Sequence, residues 1–364
     1  MDCPHLPEIE YGDFRSRLRQ KLAGQRIPIS GSMELTFRCN LRCQHCYVAH
    51  GHTGLPGLQE LSLAEIERIL DEMVAEGTLW LLMTGGEPLL RRDFLDIYTA
   101  AKNRGLLVSL FTNGTMITRR IADHLAEYRP FNLEISQYGA TQETYERVTG
   151  IPGSYARFRS GIDLLLEREL PLRLKTVVMT LNQHELWDLE AFAQSLGVGF
   201  RYDAMINAGL NGTGNPLDLR ITPEEVVEFD LADEDRINGW QAFAKQYQDL
   251  RPDNRYLFVC GAGLQSFHID PYGQLSVCMM ARRQQYDLRC GTFQEGWNDF
   301  LAEVRYQPPN GTYECNQCQL LPICGQCPGW GDMEHSDPQK PVEYLCEVAH
   351  LRAEALGIIE RIPV

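Results

Sequence analysis

Arg38-Cys39-Asn40-Leu41-Arg42-Cys43-Gln44-His45-Cys46-Tyr47 carries its cysteines in the spacing C-x3-C-x2-C. Three thiolates on one short loop can each hold an iron corner of a cubane cluster. The fourth iron then has no protein ligand and stays open to a small molecule. A zinc ion completed by His45 or His50 is the other use of the same thiols.

Outward from this loop the chain alternates between two periodicities. Residues 33–37 read as a short strand feeding the cysteines. Ser62-Leu-Ala-Glu65 is a capping box, and Gly77 should end its helix. Apolar strands follow at 79–83, 106–111, 131–136, 172–179 and 198–203. Helices separate them at 93–104, 117–127 and 155–168. A last one runs from the box Asn182-Gln-His-Glu185 to Gly197. Six strand–helix alternations predict a parallel sheet with helices outside, as an open sheet or a partial barrel. In either form, ligands gather at the C-terminal strand ends.

Those ends carry polar or special residues. After the second strand comes Thr84-Gly85-Gly86-Glu87-Pro88, where paired glycines permit close backbone approach and Glu87 offers acceptors for an ammonium group. An ordinary glycine turn explains the motif equally well in isolation. Thr112-Asn113-Gly114 follows the third strand, and Ser136 ends the fourth. Each of these alone reads as a structural turn.

The chain has 364 residues and 12 cysteines, and 34 basic against 49 acidic residues give 34 − 49 = −15. Excess negative charge argues against a nucleic-acid partner. No apolar run is long enough to span a membrane, and no signal peptide precedes the strands. The expectation is a cytoplasmic protein with reduced thiols, for which metal binding is the usual use. After the triad no cysteine occurs until Cys260. Then come Cys278, Cys290, Cys315, Cys318, Cys324, Cys327 and Cys346, while Cys3 stands alone. Two C-x2-C pairs could form a zinc ribbon, but that leaves Cys260, Cys278 and Cys346 unused. The reading divides the chain into a 1–30 extension, a 31–215 core, a 216–255 helical bridge and a 256–364 thiol module.

CNLRCQHC followed by TGGEP resembles the radical SAM superfamily over most of residues 30–205. The resemblance implies an α/β fold, a partial (β/α)6 radical SAM barrel. It implies that Cys39, Cys43 and Cys46 ligate a [4Fe–4S] cluster whose open iron binds S-adenosylmethionine. Gly85, Gly86 and Glu87 would hold the methionyl ammonium, Ser136 would contact S-adenosylmethionine, and Arg147, offset by one residue, would meet its carboxylate. His45 would lie near adenine, and Asn182 would contact the ribose or cap a helix. Reductive cleavage would give methionine and a 5′-deoxyadenosyl radical that abstracts a hydrogen atom from substrate.

The later cysteines resemble the SPASM domain, departing from its pattern where only two residues separate Cys324 and Cys327. That likeness implies two auxiliary [4Fe–4S] clusters. Cys315, Cys318, Cys324 and Cys346 would hold one. Cys260, Cys278 and Cys327 would hold the other, with an open iron or with Cys290 as the fourth ligand. Cys290 could instead return a hydrogen atom to substrate. The combination implies a peptide or protein substrate undergoing crosslinking, epimerisation, excision or oxidation. Met279-Met280 after Cys278 counts against formylglycine formation. A separate leader-peptide-recognition protein and a reductase, flavodoxin or ferredoxin donor are the expected partners. A radical enzyme acting on a small molecule is the nearer alternative. A non-enzymatic iron–sulfur carrier or a zinc interaction module is the more distant one.

Overall fold

The structure is a computed structural model that describes residues 10–48, 58–210, 212–232, 234–247 and 255–358. Cys3 and His50 lie outside the described residues. Six parallel strands form the core: β1 (Ser30–Glu34), β2 (Trp80–Thr84), β3 (Leu107–Thr112), β4 (Asn132–Ser136), β5 (Leu172–Val177) and β6 (Gly199–Asp203). They pair in chain order, each with the next. Helices α2 (Leu63–Ala75), α3 (Phe94–Asn103), α4 (Arg119–Glu127), α5 (Gln142–Thr149), α6 (Ser154–Leu166) and α7 (Leu186–Ser195) alternate with these strands, while α1 (Tyr11–Lys21) meets the N-terminal strand ends through Tyr11 on Phe131 and Phe14 on Trp80.

Local rules explain most of these elements. In α2, Ser62 accepts from the Glu65 amide and the Glu65 carboxylate accepts from the Ser62 amide. Ile66, Ile69, Leu70 and Met73 then recur at helical spacing and are buried. Each such side chain contributes about 1.5–3 kcal/mol. The Asn182 box fails: the side chain of Asn182 caps nothing, and a 3-10 turn (Gln183–Glu185) precedes α7. Glu185 instead accepts from the Ala140 amide and the Thr141 and Thr144 hydroxyls.

The first strand lies earlier than its apolar run suggests, at Ser30–Glu34 rather than 33–37. It is central, pairing with β2 on one side and with β7 (Ser266–Ile269) on the other. A methyl group on Gly31 would meet the Phe267 ring at 2.4 Å, so the strand interior is packed rather than intrinsically β-prone. Through β7 the thiol module shares the barrel's sheet. The antiparallel strands β8 (Gln274–Ser276) and β9 (Tyr286–Asp287) extend it to nine strands. The bridge consists of two helices, α8 (Pro223–Leu231) and α9 (Glu234–Tyr247). Further helices at Pro328–His335 and Glu343–Ala355 complete the thiol module. Among the described residues no helix is long and apolar enough to cross a membrane.

Candidate active site

The loop after β1 has no regular structure of its own, so its amides need outside partners. Arg42 and Gln44 donate backbone N–H bonds to the carbonyls of Thr149 (2.8 Å) and Val148 (3.1 Å), at the end of α5. Those carbonyls belong to the last turn of a helix, where no intrahelical donor is left. The Gln44 amide side chain donates to the Arg147 carbonyl at 2.7 Å. From β3, Asn113 Nδ2 donates to Asn40 Oδ1 at 2.9 Å and lies 3.9 Å from Cys39 Sγ. The Thr112-Asn113-Gly114 turn therefore braces the cysteine loop. Cys39, Cys43 and Cys46 line one cavity of about 350 Å³ at the C-terminal strand ends. Burial pushes the Cys39 thiol up to about 11 and raises the Cys43 thiol well above its ordinary value; neighbouring cysteines add to both. Metal binding displaces those protons.

The glycine pair serves this loop directly. Gly86 N–H donates to the Thr36 carbonyl (2.7 Å) and Glu87 N–H to the Arg38 carbonyl (2.8 Å). Gly85 has φ +138°, and a Cβ there would sit 2.3 Å from the Thr36 carbonyl oxygen. The close backbone approach is thus to the loop leading into Cys39, and both glycines also line the cavity. Glu87 departs from the expected role. It is fully buried and does not line the cavity. Its carboxylate accepts from Thr112 Oγ1 (2.7 Å), the Asn113 amide (2.8 Å) and the Leu89 amide (3.1 Å). Burial raises its pKa to about 7 despite those bonds.

His45 and Ser136 line the cavity. The His45 ring meets the Tyr138 ring edge-on at 4.6 Å, and its buried Nδ1 has no partner. Burial lowers it to about 4, leaving a neutral imidazole. Arg147 does not reach the cavity; its Nη2 donates to the Leu181 carbonyl at 2.6 Å. Asn182 is buried and engaged, Oδ1 accepting from the Met179 amide and Nδ2 donating to the Tyr138 and Val177 carbonyls. The offset of Arg147 was the sequence signal against it. Asp203 both lines the cavity and accepts from the Met205 amide at 2.9 Å.

Sequence reasoning missed Lys175, Phe111 and Met279, which also line the cavity. The alternation Leu172-Arg-Leu-Lys175 put a charged face on a core strand and was the available signal. It also missed a buried polar group under β1. Glu34 accepts from Tyr47 Oη (3.0 Å) and pairs with Arg282 (2.8 Å) and His268 (3.2 Å). Burial opposes its charge, but Arg282 and His268 outweigh burial and hold it at about 2.

The other thiols fall into two neighbourhoods. Cys315, Cys318, Cys324 and Cys346 line one cavity of about 190 Å³. Cys327 is pushed up to about 12, by burial first and then by Cys278 and Cys260 beside it. Cys290 joins neither: it is exposed and its thiol donates to Asp287 Oδ2 at 3.5 Å. Among the described residues no three His, Cys, Asp or Glu close on a point suited to a single metal ion. The triad, its unligated side facing a cavity, and the unpartnered His45 Nδ1 fit a cluster with a bound nucleoside-bearing ligand.

Six parallel strands with a three-thiol loop at their C-terminal ends define an α/β fold whose thiols suit an iron–sulfur cluster. Residues 33–196 match the family model of the radical SAM superfamily. The AdoMet-dependent heme synthase of Methanosarcina barkeri is 32% identical over 208 residues, 57% of this chain and 56% of that protein. The alignment thus spans little more than half of that relative. The mycofactocin maturase MftC of Mycobacterium tuberculosis is 27% identical over 317 residues, 84% of this chain and 79% of its own. The crystal structure of Streptococcus suis SuiB bound to precursor peptide SuiA superposes with TM-score 0.68 at 16% identity, covering 93% of this chain and 82% of that one. The shared fold therefore includes the thiol module as well as the barrel.

Proposed function

We propose that this protein is a radical SAM/SPASM enzyme that abstracts a hydrogen atom from a peptide or protein substrate during ribosomal peptide maturation. The carrying observation is the open triad facing a cavity shared with Gly85, Gly86, Ser136 and His45. When bound, the reduced cluster supplies one electron to S-adenosylmethionine, whose homolysis supplies the hydrogen-abstracting radical. Cys39, Cys43 and Cys46 would hold that cluster. The glycine backbone and Ser136 would seat the methionyl end, and His45 would border the adenine. Cys315, Cys318, Cys324 and Cys346 would hold one auxiliary cluster. Cys260, Cys278 and Cys327 would hold another, with an open iron, since Cys290 stands elsewhere.

The likeness to MftC runs over both modules, and SuiB shares the fold while holding a precursor peptide. Both support a peptide substrate. The division into 1–30, 31–215, 216–255 and 256–364 follows this reading, with the last joined to the barrel sheet through β7. Leader recognition by a separate protein, a flavodoxin, ferredoxin or reductase donor, and a cytoplasmic setting complete the proposal. A small-molecule substrate is the second reading, favoured by the likeness to the heme synthase.

The test is anaerobic reconstitution, reduction and addition of S-adenosylmethionine. The expected products are methionine and 5′-deoxyadenosine. No cleavage with all clusters in place overturns the proposal. Substrate-stimulated cleavage by precursor peptides, rather than by small molecules, separates the two readings. Tight leader binding by the isolated chain in a pull-down would remove the need for a recognition partner.

A further inference from the structure

One ion pair joins the triad loop to the thiol module. Glu34 ends β1, Tyr47 follows Cys46 directly, and Tyr47 Oη donates to Glu34 Oε1 at 3.0 Å. Arg282 belongs to the turn that Cys278 opens. There the Ala281 N–H donates to the Cys278 carbonyl at 3.2 Å, and Arg282 Nε donates to the Met279 carbonyl at 2.5 Å. Arg282 Nη2 lies 2.8 Å from Glu34 Oε2. His268 on β7 approaches the same oxygen at 3.2 Å, and its Nδ1 meets Ser32 Oγ at 2.9 Å. The Glu34 side chain is fully buried, and 13% of the Arg282 side chain is open. The negative end of the pair therefore stands beside the triad loop and the positive end beside Cys278.

Asp270, the other acid near Arg282, has Oδ1 committed to the Tyr272 and Gln274 amides at 2.8 and 2.9 Å. Glu134, another buried acid of the barrel, meets Lys175 and Arg201 across β4, β5 and β6, away from β1 in the sheet. A buried ion pair is weak evidence for stability, because desolvation offsets its attraction. Its field, however, is poorly screened in such an interior. The two thiol sets feel that field with opposite sign. At Cys46 burial raises the thiol and Glu34 adds to it; at Cys278 burial raises the thiol and Arg282 opposes it. Cluster potentials follow the net charge around them. A negative neighbour makes a cluster harder to reduce, and a positive one makes it easier.

We propose that the Glu34–Arg282 pair is a redox-biasing element that lowers the potential of the triad cluster relative to the cluster of Cys260, Cys278 and Cys327. It shifts a one-electron equilibrium between the two sites toward the auxiliary cluster, with no bond made or broken. Glu34 and Arg282 are positioning residues: neither lines the cavity, and both act through the thiols they neighbour. This rests on the reading that both thiol sets hold [4Fe–4S] clusters.

The test is a potentiometric titration of the reconstituted full chain, followed by electron paramagnetic resonance. The triad signal is the one missing from C39A, and the auxiliary signal is the one missing from C327A. E34Q should raise the reduced-to-oxidised ratio of the triad cluster about tenfold at a fixed potential, which is about 59 mV for one electron. R282K keeps the charge and should match wild type. E34Q/R282Q buries no net charge and should move the two clusters in opposite directions, the triad cluster up and the auxiliary cluster down. Potentials are compared at wild-type iron content, where a merely structural pair would leave them unmoved. Unchanged potentials in E34Q and E34Q/R282Q overturn the proposal. So do shifts of both clusters in one direction in the double variant. Loss of iron from both variants also overturns it, because the pair is then a structural brace. A wild-type chain that reconstitutes without the auxiliary signal would sink the reading of the thiols itself, and this inference with it.

Discussion

A methyl group on Gly86 would lie 2.4 Å from the Arg38 carbonyl oxygen, which is backbone and cannot swing away. The turn after β2 would have to lift off the loop that presents Cys39. We expect G86A to cost about 1–3 kcal/mol in urea unfolding and to lower iron retention. Glu87 makes the complementary case. Its two oxygens face three donors, so E87Q sets an amide N–H₂ against at least one of them. The expected loss is about 1–3 kcal/mol, measured on the protein without added S-adenosylmethionine. An unchanged unfolding midpoint would return Glu87 to a purely ligand-binding role. In the sequence, GGE is visible as a motif; that its carboxylate points inward to β3 is not, because adjacent strand ends decide it.

The helix α2 shows how one element joins the two modules. Ser62 caps it locally, while Arg289, from beyond β9, reaches Glu65 Oε1 at 2.8 Å. S62A should cost about 1 kcal/mol by chemical denaturation. The bonds from Arg289 first, and then from Ser62, hold Glu65 down at about 2. A depressed carboxylate contributes stability above its unfolded value, near 4.5, and loses it as pH falls from there toward 2. E65Q should therefore flatten the acid limb of the stability curve over that window, relative to wild type. An unaltered acid limb would show that Glu65 is not coupled to folding. The group is partly exposed, so added salt should shrink the difference. The capping box is legible from four residues; the Arg289 contact spans 224 positions and is not. The helix α5 escaped the sequence reading for a related reason. It is only eight residues long, and the carbonyls at its end gain partners from the cysteine loop.

Across the molecule, three thiol neighbourhoods predict about 12 iron and about 12 sulfide per reconstituted chain. C39A, C318A and C327A should each lower iron by about 4. C290A should leave it unchanged, because Cys290 lies in no neighbourhood. Loss of iron in C290A would restore that residue as a ligand. Of these variants only C39A should abolish cleavage of S-adenosylmethionine outright, since neither Cys318 nor Cys327 lines the main cavity.

The triad, the glycine turn and the alternation of strands and helices were readable from the chain because each is local. A cluster loop is compact in sequence, a capping box spans four residues, and helical and strand periods repeat within a dozen. The pairing of β7 with β1, the outward turn of Arg147, the isolation of Cys290 and the convergence of Lys175 and Arg201 came only with the tertiary structure. The first and the last depend on register between neighbouring strands, and the other two on how a helix and a turn pack. A shift of one residue would send the same side chain to the opposite face of the sheet.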